Sequence, residues 1–297
     1  MAKKYDRVVK AVNEIFLQYN TKMTLRQVYY RLVAKLIIRN TRSEYKYLSA
    51  MLVKARENGD VNYRMFEDRV RKTIGGDHGW DDPKGFLDYM EETFKNSWKY
   101  LSLSMWKNQP VFIEVWVEKD ALSRLVSDVT NEYNVRTCPS RGYSSFTYIK
   151  DAVNRLRNVK QPIKILYFGD FDPSGMDIER DLWTRLYKYG CSDLSVERIA
   201  LTQDQIMEYN LPPMPAKKSD ARYNKFVAET GAGDAVELDA LEPPVLEKLV
   251  KEAIEDNIDF DLWEARKEQE KDEKERLRRK LEDVEIMFPD EEDEKSV

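Results

Sequence analysis

Three carboxylates in this chain have the spacing that metal-assisted phosphate chemistry requires. Glu118 directly follows the apolar run PVFIEVWV, and Asp170 and Asp172 follow IKILYFG, the first of them 52 residues beyond Glu118. Runs of β-branched and aromatic residues read as buried strands. Open α/β sheets bind ligands at the carboxyl ends of such strands. If the two strands are neighbours, three like charges meet, and the set stays ionised only beside a cation. A hard divalent ion meets that need, and Mg²⁺ typically takes one or two carboxylates plus water and phosphate oxygens. Strand alternation puts Asp170 and Asp172 on one side. The glycines and Pro173 of GDFDPSG supply a tight turn that a phosphate can approach. The plainer reading makes the two aspartates turn residues and the N-cap of the next helix.

Composition narrows the chemistry further. His78 is the only histidine, and Cys138 and Cys191 are the only cysteines. A histidine base and a histidine-rich zinc site are therefore excluded, and a reduced, cytoplasmic setting is expected. No apolar run reaches the roughly 18 residues of a membrane span, and MAKKYDRVVK lacks the apolar stretch of a signal peptide. The net charge of −5 conceals an asymmetry: residues 1–80 carry +9 and residues 255–297 carry −9. A basic leading segment suits a polyanion such as DNA.

The elements that must position these residues follow from periodicity. Residues 5–19 carry Val8, Val9, Val12, Ile15 and Phe16 at helical spacing. Thr24 is placed to cap a second helix, LRQVYYRLVAKLI, and Ser43 to begin a third that Gly59 ends. VNYRMFEDRVRK after it reads as a hairpin. Three helices and a hairpin describe a winged helix-turn-helix over 1–76. A loop and bridging helix are expected over 77–107, with the helix at about 84–106. Strands and helices then alternate over 108–200, which argues α/β with a parallel sheet. Residues 201–262 mix helix and loop and complete that region, and 263–297 are a charged helix with an acidic tail. Glu237 and Asp239 in VELDAL read either as support for a second metal or as solvated carboxylates at a strand edge.

VEKDAL followed by GDFDPSG resembles the Toprim domain of the topoisomerase VI A subunit and of its relative, the meiotic double-strand-break protein. The resemblance spans about residues 20–200. Together with AVELDAL it looks closest to stand-alone microbial and phage relatives of that subunit. It implies a Rossmann-like Toprim domain in which Glu118, Asp170 and Asp172 bind Mg²⁺ beside the scissile phosphate, with Arg141 and Gly142 as phosphate contacts. In this family a winged-helix tyrosine is the nucleophile, within a motif of the type Arg-Asp-x-Tyr-Tyr. LRQVYY carries Arg26, Tyr29 and Tyr30, so the role falls on Tyr30, 88 residues before Glu118. Gln27 departs from the usual aspartate.

The family chemistry is coherent with the residues. A phenol has a pKa of about 10 and needs help to attack at neutral pH. Arg26, four residues before Tyr30, shares its helical face. The resemblance also implies a homodimer in which the tyrosine of one protomer meets the metal of the other. In the topoisomerase a separate ATPase chain drives strand passage, and no Gly-rich nucleotide loop stands in this sequence.

Phosphate contacts are expected from Lys22, Arg31, Lys35, Arg39, Arg42, Lys46 and Lys54 on or beside the second and third helices. Arg64, Arg69, Arg71 and Lys72 on the wing would join them, and Lys119, Arg141, Lys217, Lys218 and Arg222 would extend the track. Three activities remain open: DNA cleavage by Tyr30, a Toprim nuclease using water, and a non-catalytic DNA-binding or assembly module.

Overall fold

The structure, a computed structural model, describes residues 2–67, 79–282 and 284. The chain divides into two units, one built from Met1–Lys72 and Pro110–Ile258, the other from Thr73–Gln109 and Asp259–Val297.

In the first unit three helices come first: α1 (Ala2–Tyr19), α2 (Leu25–Ala34) and α3 (Arg42–Glu57). They bury Val8, Val12, Ile15 and Phe16 of α1 with Val28, Leu32, Leu48 and Leu52. Thr24 caps α2 in a capping box with Gln27: the Gln27 amide donates to Thr24 Oγ1 at 3.1 Å, and the Thr24 amide donates to Gln27 Oε1 at 2.8 Å. Gln27, where the family motif has aspartate, is thus a helix-start residue. The third helix starts earlier than expected. Thr41, not Ser43, accepts from the Glu44 amide and forms the cap. Gly59 follows the helix at φ +79°, a left-handed value that glycine adopts freely.

The expected hairpin is not seen in residues 61–67. Asn62 caps a single 3₁₀ turn, Tyr63–Met65, and Phe66 bridges to Met23. Its second half, with Arg69, Arg71 and Lys72, lies outside the described residues, as does His78.

The second unit begins with α4 (Pro83–Lys95), capped by Asp82 with Pro83 in its first turn. This helix is shorter than the expected 84–106, because it closes at Asn96 and gives way to a 3₁₀ turn over Ser97–Tyr100. Trp106 packs edge-on against Trp263, and the Gln109 side chain exchanges two hydrogen bonds with the Asp259 backbone.

Back in the first unit, β1 (Phe112–Val117), α5 (Ser123–Glu132), β2 (Arg136–Pro139), α6 (Phe146–Leu156), β3 (Ile163–Phe168), α7 (Pro173–Lys188) and β4 (Leu194–Ala200) alternate. The strands form a four-stranded parallel sheet in the order β2-β1-β3-β4. Parallel strands covered on both faces need apolar side chains throughout, and β1 and β3 are almost entirely buried. Trp116, Ile165 and Tyr167 pack with Ile149, Val153 and Leu156 of α6 and Ile178, Leu182 and Leu186 of α7. β4 was not foreseen: LSVERIA carries Glu197 and Arg198 and lacks the continuous apolar run of β1 and β3.

After β4 come α8 (Gln203–Glu208), a two-residue strand β5 (Met214–Pro215), α9 (Tyr223–Thr230) and β6 (Asp234–Ala235), which pairs antiparallel with β5. A 3₁₀ turn, Leu238–Ala240, leads into α10 (Pro243–Glu255), which packs with α5 beside the sheet. The charged helix α11 (Phe260–Glu282) belongs to the second unit and is laced with i,i+3 and i,i+4 pairs such as Lys274–Glu270 at 2.7 Å. No helix among the described residues is long and apolar enough to cross a membrane.

A buried carboxylate on β1 is answered by an arginine. Glu114 is fully buried, and Arg155 donates to both its oxygens at 2.7 and 2.9 Å. Trp116 Nε1 adds a bond at 3.2 Å. Removing one partner strands the other charge, so Arg155→Met should cost about 3–5 kcal/mol in urea unfolding. Pairing it with Glu114→Leu should recover much of that loss, since a buried ion pair is usually replaceable by apolar residues.

Candidate active site

The strand order 2-1-3-4 has a consequence for the site. The chain leaves β1 for β2 on one side and returns to β3 on the other, so β1 and β3 flank the switch point where open sheets bind ligands. Glu118 and Asp170 emerge there, since Val117 is in register with Phe168. The Asp170 amide donates to Glu118 Oε2 at 2.9 Å, and the Tyr167 hydroxyl adds a bond at 3.3 Å.

The Gly175 position lets α7 close onto this turn. A Cβ there would overlap the Asp170 carbonyl oxygen and crowd Glu118 Oε2. Asp172 caps α7, with the Gly175 amide donating to its Oδ1 at 2.7 Å. Arg198, reaching in from β4, holds the same turn from below. Its guanidinium donates to the Gly175 and Asp170 carbonyls at 2.8 and 3.3 Å, pairs with Glu179 at 2.8 Å and lies over the Tyr167 ring. Nothing in the sequence pointed to Arg198, because its strand was not recognised.

Lys119 stands at the centre of the charge distribution. Its ammonium lies 3.0 Å from Asp170, 2.9 Å from Glu237 and 2.7 Å from Asp239. Burial by itself would favour the neutral amine, but the three carboxylates outweigh it and hold Lys119 charged, well above the ordinary amine range. Arg26 pairs with Glu237 from the other side. Burial opposes ionisation of Glu237, yet Lys119 and Arg26 together hold its carboxyl below the usual range. The two carboxylates in VELDAL are therefore neither a second metal site nor solvated. They bind Lys119 and Arg26.

Backbone bonds fix that segment independently. Phe171 and Val236 exchange two bonds of 2.9 Å, and the Leu238 amide donates to Asp170 Oδ1 at 2.8 Å. Arg31 completes the seam: it donates to the Ala240 carbonyl and pairs with Glu242 at 2.9 Å. Offered by the sequence as a phosphate contact, Arg31 is buried in this seam and has no free face for DNA.

The carboxylates expected to share a metal are arranged unequally. Burial is the main force holding the Glu118 carboxyl above its usual range, and the Asp172 charge adds to it. Burial also pushes Asp170 up to about 7, with Glu118 adding and Lys119 opposing. Glu118 Oε1 and Asp172 Oδ2 accept no hydrogen bond among the described residues. Among those residues, no group of three or more His, Cys, Asp or Glu side chains is gathered as a metal-binding set. The donor chemistry, all carboxylate oxygen, fits a hard cation such as Mg²⁺. Its holders would be Glu118 and Asp172, whose engaged oxygens meet only uncharged donors, whereas Asp170 already has a cation, Lys119, on its Oδ1.

Two recesses open here. One, of about 640 Å³, is lined by Tyr30, Arg26, Tyr45, Arg42, Lys46, Asp172, Ser174, Lys217 and Glu237. The other, of about 490 Å³, is lined by Glu118, Lys119, Arg141 and Gly142, and Arg26 and Tyr45 line both. Tyr30 and Asp172 thus meet in one cleft of a single chain. Tyr30 is only 1% exposed, and burial raises its phenol well above the ordinary value. Glu237 adds to that rise, while Lys119 and Arg26 oppose it.

Of the basic residues named from sequence, Arg42, Lys46 and Lys217 line the cleft, Lys218 is exposed, and Lys35 is exposed and bonds Gln18. Arg141 is exposed and pairs with Asp120 at 3.0 Å. Lys119, also expected to contact DNA, is committed to three carboxylates. Arg222 is tied to Asp220 at 2.8 Å.

No family model matches the chain, and no curated protein is significantly similar to it, so the site is read from its geometry.

Lys119→Met should destabilise the protein by about 3–5 kcal/mol at neutral pH, because it leaves buried carboxylates unanswered. Asp170, already above its ordinary value, then lies further above it, and Glu237 loses one of the two cations that hold it down. The deficit should therefore shrink as pH falls through the folded values and be full above them. Thermal melts of wild type and variant between about pH 5 and 8 would show the two curves converging on the acid side.

Proposed function

We propose that this chain is a Mg²⁺-dependent, DNA-cleaving protein of the Toprim class, with a helix-turn-helix-type leading segment and Tyr30 as nucleophile. The observation that carries the reading is that Tyr30 and Asp172 line one cleft with four basic side chains, Arg26, Arg42, Lys46 and Lys217. Glu118 and Asp170 stand behind it at the sheet's switch point. Contacts from such residues go chiefly to phosphates and set position more than sequence.

In this reading Arg42, Lys46 and Lys217 hold the backbone and Arg26 orients the phosphate. Tyr30 Oη forms the new bond to phosphorus, its proton passes to water, and the deoxyribose oxygen leaves and takes up a proton. The product is a phosphotyrosine that keeps an ester bond for resealing. Bound by Glu118 and Asp172, Mg²⁺ would offset charge on the phosphate oxygens. A homodimer and a separate ATPase chain are the partners the family resemblance suggests.

The burial and raised pKa of Tyr30 favour a second reading, in which water attacks and Tyr30 is structural. Supercoiled plasmid with Mg²⁺, quenched in detergent with and without protease, separates the two. Wild type should give protein-linked breaks, and Tyr30→Phe should give none while losing under about 1.5 kcal/mol of stability, being nearly isosteric. Unlinked breaks that persist in Tyr30→Phe would establish the water reaction instead.

Metal binding is measurable apart from activity. A ligand that binds only the folded state raises its melting temperature. Mg²⁺ should stabilise wild type, and Glu118→Gln and Asp172→Asn should each abolish that response. An equal response in all three proteins would remove these residues from the metal site.

A further inference from the structure

We infer that Arg26 and Lys119 form a phosphodiester-binding site that the Glu237 carboxylate fills in the free protein, so that nucleic acid must displace Glu237 to engage it. The inference rests on the DNA reading above and adds to it a built-in competitor.

The geometry has three parts. First, Glu237 holds both cations from within the cleft. It pairs with Arg26 and accepts from Lys119 at 2.9 Å, and it lines the same cleft as Tyr30, Arg42 and Lys46. A carboxylate bridging a guanidinium and an ammonium presents two anionic oxygens, as the non-bridging oxygens of a phosphodiester do, and both cations are habitual phosphate ligands. Lys119 lines the other recess, with Asp239, and Arg26 lines both, so Glu237 reaches from its cleft to cations on both sides.

Second, Glu237 is released at small structural cost. The backbone beside it is pinned by the Phe171–Val236 bonds and by the Leu238 amide on Asp170. None of these uses the Glu237 carboxylate. Its backbone is extended, at φ −87° and ψ 144°, so the side chain can rotate away while the segment stays in place.

Third, Lys119 is not stranded by the exchange. It keeps Asp170 at 3.0 Å and Asp239 at 2.7 Å when Glu237 leaves. Arg26 keeps the Tyr45 ring, 5.0 Å from its guanidinium carbon. The incoming phosphate replaces one anion with another, so the cations remain paired throughout.

The test is fluorescence anisotropy of a labelled short DNA duplex against the full chain, in EDTA so that metal plays no part. Glu237→Gln should bind about tenfold more tightly than wild type with a similar salt dependence, since the same cations reach phosphates in both complexes once Glu237 is displaced. Arg26→Gln added to Glu237→Gln should cancel more of the gain than Lys46→Gln added to it, although both pairs restore the same net charge, because only Arg26 is held by Glu237. Glu237→Asp, whose carboxylate is drawn back by one methylene, should bind with intermediate affinity. Thermal melts accompany each variant.

Folded Glu237→Gln and Glu237→Asp with unchanged or weaker binding would overturn the inference and leave the DNA reading standing. Failure of both variants to fold would also overturn it, by showing that the carboxylate is a fixed clasp. Absence of binding by every variant and by wild type at low salt would overturn the DNA reading itself.

Discussion

One ammonium group, that of Lys119, makes the rest of the site possible. Withdrawing a charge from water costs several kcal/mol even after the protein relaxes, and like charges brought together add to that cost. Here Asp170, Glu237 and Asp239 come together at the strand ends, and Asp239 is almost wholly shielded from solvent. Only a cation in their midst lets them share the space. Because Lys119 follows β1, and Glu237 and Asp239 lie 118 and 120 residues further on, this contact also fastens the C-terminal part of the unit to the sheet. Arg26 and Arg31 extend the seam to α2, through Glu237, Glu242 and the Ala240 carbonyl. The leading helices and the sheet are thereby joined through charge as well as through apolar packing.

The sheet supplies rigidity, and the charged seam supplies position. Glu118 and Asp170 sit at the ends of adjacent buried strands, so their backbone is fixed by the ladder. Arg198 binds the carbonyls of the turn between β3 and α7, and Gly175 lets the helix settle against the Asp170 carbonyl. Tyr30 is fixed differently, on a helix whose start is locked by the Thr24–Gln27 capping box. The cleft therefore has one wall from a helix start and one from a strand-to-helix turn, both well-determined pieces of backbone. In the proposed function, groups acting on a phosphate would gain from that precision.

What was legible in the sequence followed local rules. The β1 and β3 runs declare themselves as buried strands, Thr24 as a cap, and the carboxylates as strand-end residues, because each of these depends on near neighbours. Asp172 was legible in two ways, and its capping of α7 realises the plainer of them while leaving one oxygen open to the cleft. The destination of Lys119 was not legible. Next to Glu118 in a charged stretch it looked like a phosphate contact, and only folding brings Glu237 and Asp239 to it. Arg31 misled for the same reason: its helical position gave no sign of the Ala240 carbonyl and Glu242 waiting on the far side of the sequence. β4 was missed because Glu197 and Arg198 interrupt its apolar pattern, yet Arg198 supports the acidic turn. Of the hairpin expected after α3, the described half, residues 61–67, instead holds a 3₁₀ turn capped by Asn62.

Charge arithmetic at the site leads to a last step. Glu118, Asp170, Asp172, Glu237 and Asp239 face Lys119 and Arg26, five carboxylates to two cations. A surface with that excess repels a polyanion, although Arg42, Lys46 and Lys217 beside it attract one. The carboxylates separate into two groups that relieve the excess in different ways. Glu118 and Asp172 each keep an oxygen free, and in the proposed function a divalent cation would relieve their charges. Glu237 has both its charge partners already, and its competition is relieved by leaving them. The remaining pair, Asp170 and Asp239, stays with Lys119 in either event and keeps the seam closed. A phosphate entering the cleft would then meet cations on the Arg26 side and, in the proposed function, a metal on the Asp172 side, with one carboxylate fewer acting on the Tyr30 phenol. Burial, the main cause of the raised Tyr30 phenol, would remain, while departure of the Glu237 charge would lower the cost of its ionisation in the proposed reaction.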